Sequence, residues 1–143
     1  MMRISELANA TGVEIETIRY YEKQGLIAEP ERQANGYRSY ANEHLERLAF
    51  IRHCRALDMP LAEVRALLMF IDKPVADCAE VNQLIDAQLG RVRARLKSMR
   101  ALEKQLGQLR KHCTYIDAGQ ACGILQELVA AAHGEACACH AKV

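Results

Sequence analysis

The 143-residue sequence has no tryptophan, 5% aromatic residues, three prolines and eight glycines. This low proline and glycine content excludes collagen-like and low-complexity chains, while 50% hydrophobic residues are enough to build a folded core. No stretch approaches the roughly 18 consecutive apolar residues that a membrane span needs, and the opening residues lack the apolar core of a signal peptide. We therefore expect a cytoplasmic protein with no membrane partner.

The chain also lacks a strong charge of either sign. The formal net charge is +1, with 9 basic against 11 acidic side chains in residues 1–72 and 10 against 7 in residues 73–143. Bulk positive charge, a common mark of nucleic-acid-binding proteins, is therefore missing, and any DNA contact has to rest on individually placed arginines. We find no glycine-rich phosphate loop and no set of nucleophile, base and orienting group, so we do not expect an enzyme.

Two short helices joined by a tight turn open the sequence. Ser5 is a plausible N-cap for the first helix, and Thr11-Gly12-Val13 interrupts the helical pattern. A second helical run begins at Glu14 and ends at Gly25. This arrangement predicts a helix-turn-helix, in which the outer face of the second helix can enter a DNA major groove.

The second helix has a distinct inner and outer face. Its core-facing positions recur at helical spacing and are Ile15, Ile18 and either Tyr21 or Glu22. Thr17 and Tyr20 are thereby left on the outer face, with Arg19 at its border.

The next segments predict a hairpin wing and two further helices. The Asn35-Gly36 turn signal lies within residues 34–40, which alternate aromatic and basic side chains. Helical spacing then covers residues 42–57 and 61–71, and Cys54 falls at a core-facing interval in the first of them. Lys73-Pro74 closes the predicted N-terminal domain, residues 1–74.

A long helix with a single apolar stripe follows from about residue 77. The stripe consists of Ile85, Leu89, Val92, Leu96, Met99, Leu102, Leu106, Leu109 and Cys113. The mean interval is 3.5 residues, which is typical of a coiled-coil seam. A helix of this length cannot bury a narrow stripe alone, so we expect it to pair with the same helix of a second chain in a homodimer.

Four segments together resemble the MerR family of metal- and drug-responsive transcription regulators. They are residues 4–8 (ISELA), 17–27 (TIRYYEKQGLI), 35–40 (NGYRSY) and 55–61 (RALDMPL). The placing of Cys78, Cys113 and Cys122 looks most like the PbrR-type, lead-responsive branch, with the mercury-responsive branch next. The resemblance covers nearly the whole chain.

The resemblance implies a mainly α fold with three parts. These are a winged helix-turn-helix domain (1–74), a long antiparallel coiled-coil dimerisation helix (75–112) and a short metal-binding C-terminal loop with a helix and tail (113–143). It also implies DNA contacts by the second helix and the wing, through Thr17, Arg19, Tyr20, Tyr37 and Arg38. The resemblance further implies that metal binding by the promoter-bound homodimer distorts the DNA, so that RNA polymerase can use the promoter and heavy-metal resistance genes are activated.

The cysteines place the expected metal site between two protomers. Thiolates select soft or borderline ions. Cys78 and Cys113 stand 35 residues apart, which is roughly 52 Å along one helix and far too distant to share an ion. An antiparallel partner removes this difficulty, because its Cys78 then lies beside Cys113 of the first chain. Cys122, with eight residues between it and Cys113, can supply a third sulfur.

Three thiolates suit Pb(II), whose lone pair can occupy the open side, and also trigonal Hg(II). Cd(II) and Zn(II) stay open, because His112 or a tail cysteine could complete a tetrahedral site. Cys137, Cys139 and His140 resemble an auxiliary soft-metal motif in the tail. The preference for lead rests on the resemblance, since spacing does not separate lead from mercury.

Two other interpretations of the thiols remain open. A metal-buffering or redox protein would explain the cysteines, although it leaves the helix-turn-helix without a role. A regulator that senses a drug or thiol oxidation, through a disulfide between Cys113 and Cys122, is the second alternative.

Overall fold

The computed structural model describes residues 1–74, 78–112 and 122–134. Six helices and two strands lie in these residues, and the mainly α fold predicted from the sequence is confirmed. In chain order they are α1 (Ile4–Thr11), α2 (Ile15–Lys23), β1 (Glu31–Arg32), β2 (Arg38–Ser39), α3 (Asn42–Ala56), α4 (Leu61–Asp72), α5 (Ala79–Arg110) and α6 (Gly123–His133). The chain forms two compact units, Met1–Leu89 and Gly90–Val143.

Helix α1 begins earlier than its capping signal suggests. Arg3 is the N-cap, no side chain caps the helix, and Ser5 lies inside it, so the predicted Ser5 cap is wrong. The reason is a non-local interaction, because the backbone of Met2 pairs with Tyr40 through two N–H···O bonds of 2.8 Å. This pairing keeps the chain extended up to Arg3, and the helix starts directly after it.

The turn between α1 and α2 depends on two short-range features. The Thr11 hydroxyl donates to the Leu7 carbonyl over 2.8 Å and accepts from the Val13 N–H over 3.3 Å. Gly12 has φ +72°, and a Cβ there would lie 3.0 Å from the Arg52 guanidinium. A residue without a side chain therefore allows both the left-handed turn and the close approach of α3.

The predicted wing is present as a short antiparallel hairpin. Strands β1 and β2 pair Glu31 with Ser39 and Arg32 with Arg38. At the tip Gly36 has φ +85°, which the Asn-Gly signal anticipates. The hairpin joins the rest of the unit at its base, where Tyr40 is fully buried.

Helices α3 and α4 carry the apolar stripes predicted for them. The buried apolar side chains from these helices are Leu48, Ile51, Cys54, Val64, Leu67 and Leu68. They pack with Leu7, Ile18 and Tyr21 in one core. His44 fixes the start of α3, because its Nδ1 accepts from the Ala41 N–H and its Nε2 donates to the Ala28 carbonyl, each over 3.0 Å.

Helix α5 is buried only where it begins. Val81 and Leu84 pack against the core, and the Gln88 amide donates to the Leu57 carbonyl over 2.8 Å. Most residues of the apolar stripe are exposed to solvent. The exposed fractions range from 37 to 64% for Ile85, Leu89, Val92, Leu96, Met99, Leu102 and Leu106. None of the described helices combines the length and apolar character needed to cross a membrane.

Candidate DNA-binding surface and metal ligands

The outer face of α2 is formed by the side chains that helical spacing predicts. Tyr20 is 50% exposed and Tyr21 is 8% exposed, although the two residues are adjacent. Arg19 is exposed beside Tyr20, and Thr17 is half-buried at the start of the same face. The surface therefore combines a cation, a phenol and a hydroxyl, which can all contact phosphate or base edges.

The wing presents a second aromatic and basic pair. Tyr37 is 62% exposed, and the guanidinium of Arg3 lies 5.6 Å from the centre of its ring. Arg38 follows on β2 and is also exposed. Arg3, which the sequence patterns did not single out, thus lies next to the predicted wing contacts.

A cleft between α2 and the wing collects four cations. Arg19 and Lys23 come from α2, and Arg32 and Arg38 come from the two paired strands. Lys23 and Arg32 were missed from the sequence. Two signals could have found them, since Lys23 is four residues after Arg19 on the same helical face, and Arg32 is opposite Arg38 across the hairpin.

Two carboxylates lie in the same cleft, and one of them is tied to the wing. Glu22 accepts from the Tyr40 hydroxyl over 2.7 Å through Oε1 and from the Arg38 guanidinium over 3.2 Å through Oε2. Burial of the Tyr40 hydroxyl and its hydrogen bond to Glu22 raise the pKa of Tyr40 to about 12. The phenol therefore remains a hydrogen-bond donor at neutral pH. Glu29 is the other carboxylate of the cleft.

Two of the three predicted metal ligands lie among the described residues, and each is found at the start of a helix. Cys78 is free and exposed, and its carbonyl accepts the Asn82 N–H of α5 over 2.8 Å. Cys122 is free and exposed as the N-cap of α6, and its carbonyl accepts the Gln126 N–H over 3.0 Å. The amide-rich end of a helix attracts negative charge, which suits a metal-binding thiolate.

The beginning of α6 lies against a residue that closely follows the end of α5. A Cβ on Gly123 would lie 2.5 Å from the carbonyl oxygen of His112. This close approach of two backbones brings Cys122, the neighbour of Gly123, to the residue that precedes Cys113. Cys113 itself lies outside the described residues.

Cys54 has the structural role predicted for it. The residue is buried in the core, and this burial raises the pKa of its thiol. Within residues 1–74, 78–112 and 122–134, no three His, Cys, Asp or Glu side chains are grouped so that they could hold a metal ion. The tail residues Cys137, Cys139 and His140 lie outside this part of the chain, as Cys113 does.

Comparison with known proteins links both regions to one family. Residues 2–70 match the model of the MerR HTH family regulatory proteins, and residues 45–109 match the model named MerR, DNA binding. The HTH-type transcriptional regulator ZntR homolog of Haemophilus influenzae is 41% identical over 110 residues, 77% of this chain and 82% of that protein.

Two metal-bound crystal structures are also similar. The transcription regulator PbrR691 from Ralstonia metallidurans CH34 in complex with lead(II) is 46% identical, with a TM-score of 0.75 over 90% of this chain and 99% of that one. The dual function transcriptional regulator MerR from Bacillus megaterium MB1 in complex with mercury(II) is 30% identical, with a TM-score of 0.69 over 90% and 99% of the two chains.

These relatives are transcription regulators rather than enzymes, which confirms the expectation that the chain has no enzymatic activity. The helix-turn-helix, the wing and the long helix all fall within the matched residues. The chain belongs to the MerR family of helix-turn-helix transcription regulators, which bind promoter DNA as homodimers.

Proposed function

We propose that this regulator responds to a soft metal ion, most specifically Pb(II), and activates heavy-metal resistance genes from promoter DNA in the cytoplasm. The ligands are the thiolates of Cys78, Cys113 and Cys122. The observation that carries the proposal is the pair of free, exposed cysteines, Cys78 and Cys122, each at the amide-rich start of a helix.

The donor set suits a soft ion. Sulfur ligands select soft or borderline metals over hard ones such as Mg(II) and Ca(II). Cys54 is not available for this purpose, because its side chain is buried in the core. The 46% identity to a regulator crystallised with lead(II) supports Pb(II).

The metal site is proposed to join two protomers. The apolar stripe of α5 is exposed over most of its length, and an antiparallel copy of the same helix would cover it. In such a pair Cys78 of one chain meets Cys113 and Cys122 of the other. The three parts of the chain then have separate tasks: residues 1–74 bind DNA, residues 75–112 dimerise, and residues 113–143 complete the metal site.

Promoter contact is proposed to involve Thr17, Arg19 and Tyr20 of α2 and Tyr37 and Arg38 of the wing. All but Thr17 are exposed, and the cleft between α2 and the wing is lined by four cations. Phosphate contacts by the arginines would supply affinity and register, while Thr17 and Tyr20, on the outer face of α2, would contact base edges.

The bridging cysteines give metal binding a direct effect on the DNA. When thiolates of two protomers converge, the angle between the two DNA-binding domains changes, and the promoter bends and untwists. The ion must bind this DNA-distorting state more tightly than the resting state. RNA polymerase then uses a promoter whose spacing was unfavourable before. The energetic cost of deforming that promoter contributes to specificity.

Hg(II) is the second candidate, because a regulator that is 30% identical was crystallised with mercury(II). Both ions use thiolates, and three sulfurs suit trigonal Hg(II) as well as Pb(II). Cd(II) and Zn(II) call for a fourth ligand, for which His112 or a tail cysteine is a candidate.

The proposal is tested by titrating a promoter reporter with Pb, Hg, Cd, Zn and Cu salts. Ser replacements at Cys78, Cys113 and Cys122 should each abolish induction and remove the ultraviolet absorption of the metal-thiolate complex. Cys54→Ala is the matched control and should keep both, because Cys54 is a core residue. Full induction by Cys78→Ser would contradict the three-cysteine site. Stronger induction by Hg than by Pb would identify Hg(II), not Pb(II), as the inducing ion.

A further inference from the structure

We propose that Glu22 is a positioning residue of the DNA-binding surface, which ties the wing to α2 and holds Arg38 where it can meet a phosphate. The inference rests on the proposed DNA contacts of α2 and the wing. It adds a residue whose charge has the wrong sign for a direct phosphate contact and whose effect must therefore act through a neighbour.

The geometry joins elements that are far apart in sequence. Glu22 lies on α2, while Arg38 and Tyr40 lie at and just after β2, 16 and 18 residues further on. Each carboxylate oxygen of Glu22 accepts from a different one of these residues, over 2.7 Å from Tyr40 and 3.2 Å from Arg38. One side chain therefore fixes both the base of the wing and its exposed cation.

The anchor at the base of the wing is buried and hydrogen-bonded on several sides. Tyr40 is fully buried, its ring packs edge-on against His44 with centroids 5.3 Å apart, and its backbone N–H and carbonyl both pair with Met2. Only 10% of the Glu22 side chain is exposed, whereas 41% of the Arg38 side chain remains exposed. Glu22 thus links a buried group to a cation that still faces solvent.

The charge pattern argues that this link has a use beyond holding the fold together. The same cleft is lined by Arg19, Lys23, Arg32 and Arg38. A carboxylate among four cations weakens their attraction for DNA by simple electrostatics, so Glu22 favours DNA binding only if its contacts bring an opposing gain. Preorganisation supplies that gain, because an arginine already held in place loses less conformational entropy when it binds a phosphate.

Glu29 offers a matched control in the same cleft. It is a carboxylate of the same chemistry and is exposed, and the part of the chain that the structure describes gives it no hydrogen bond or ion pair. Glu22→Gln and Glu29→Gln therefore remove the same charge from the same surface. Only the first removes an interaction with the wing.

The experiment measures the affinity of the full-length protein for a duplex enriched by the parent protein from a random-sequence pool, over a range of salt concentrations. We expect Glu22→Gln to bind about three- to tenfold more weakly, the range that corresponds to the loss of one typical hydrogen bond. The slope of log affinity against log salt should fall by roughly 0.9 for each phosphate that the variant no longer neutralises. Glu29→Gln should bind equally or more tightly with an unchanged slope.

Tyr40→Phe is the second variant and keeps the buried ring. It removes the 2.7 Å anchor on Glu22 and should reproduce part of the decrease in affinity and slope. Equal or tighter binding by Glu22→Gln would overturn the inference, and so would weaker binding with an unchanged slope, since that is the signature of a merely structural role. Arg38→Ala separates the positioning role of Glu22 from the proposed DNA contacts. Unchanged affinity in that variant would refute the proposed DNA surface itself.

Discussion

The guanidinium of Arg47 binds the carboxylate of Asp72 at two points, with nitrogen-to-oxygen distances of 2.6 and 2.8 Å. The same guanidinium donates from Nε to the Leu26 carbonyl over 3.1 Å. One side chain of α3 thus holds the last residue of α4 and the connection that follows α2. The ion pair therefore fixes the C-terminal end of α4, six residues before Cys78 in the sequence.

The first prediction concerns the acid sensitivity of this pair. The hydrogen bond from Arg47 lowers the pKa of the Asp72 carboxyl. The pair therefore stabilises the fold above the ordinary aspartate pKa of about 4, and this contribution is lost as the pH falls through the lowered value. Asp72→Asn should slightly reduce the free energy of unfolding at pH 7 and flatten its decline below about pH 5. Urea unfolding at several pH values measures both effects.

Arg47→Lys is the control for the geometry of the pair. Lysine keeps the positive charge but loses the planar fork and the bond to Leu26, so it should destabilise more than a pure charge effect predicts. A parent protein and an Asp72→Asn variant with superimposable pH profiles would contradict the account of this ion pair.

The second prediction concerns alkaline pH. Since burial and Glu22 raise the pKa of Tyr40 to about 12, this phenol should ionise at higher pH than an ordinary tyrosine. Its raised pKa stabilises the folded state fully below about pH 10, and the stabilisation is lost as the pH rises toward 12. A spectrophotometric tyrosinate titration of the parent and Tyr40→Phe should show that the variant lacks a late-titrating group. If the group missing from the variant instead titrated near pH 10, the result would be inconsistent with the buried hydrogen bond.

The third prediction concerns the backbone approach beside Cys122. Gly123→Ala places a Cβ 2.5 Å from the His112 carbonyl oxygen, so the start of α6 has to shift. We expect metal affinity to fall about tenfold, which corresponds to about 1.4 kcal/mol. Competition with a thiol chelator measures this change.

Gly107→Ala is the matched control on α5, where an added Cβ meets nothing within 4 Å. It should leave metal affinity unchanged and stabilise the helix by about 0.5 to 1 kcal/mol. If the two alanine variants bound metal equally well, the close approach of Gly123 to His112 would have no role in the metal site.

The fourth prediction concerns dimerisation through α5. Leu96 is 49% exposed and lies on the apolar stripe. Leu96→Asp removes two leucines from a symmetric dimer, a loss of about 3 to 6 kcal/mol, and should raise the dimer dissociation constant more than about a hundredfold. Sedimentation velocity should show monomers, while Lys97→Asp, one residue away from the stripe, should remain a dimer. A dimeric Leu96→Asp variant would require a different interface.

Local sequence signals were sufficient for much of the DNA-binding unit. Helical spacing separated the exposed Tyr20 from the buried Tyr21, and the Asn-Gly pair located the wing turn at Gly36. Cys54 was assigned to the core on its interval from Ile51, and the structure buries it. These features depend on residues within a few positions of each other, which is the range over which a pattern is informative.

Interactions between distant segments were not predictable in the same way. The start of α1 depends on the pairing of Met2 with Tyr40, so the serine signal at residue 5 was outweighed. The helical pattern of α2 does not indicate the two partners of Glu22, because they lie 16 and 18 residues away. Likewise, nothing in the helical pattern of α3 indicates that Arg47 binds Asp72.

The central claim, that each metal ion is held by two protomers, is tested most directly with a mixed dimer. One chain carries Cys78→Ser and the other carries Cys122→Ser, and differently tagged copies are purified together. If Cys78 of one chain works with Cys113 and Cys122 of its partner, this dimer keeps one intact site and should bind one Pb(II) with the parent's thiolate absorption. If all ligands come from a single chain, neither site is intact, and a mixed dimer that fails to bind Pb(II) would contradict the account.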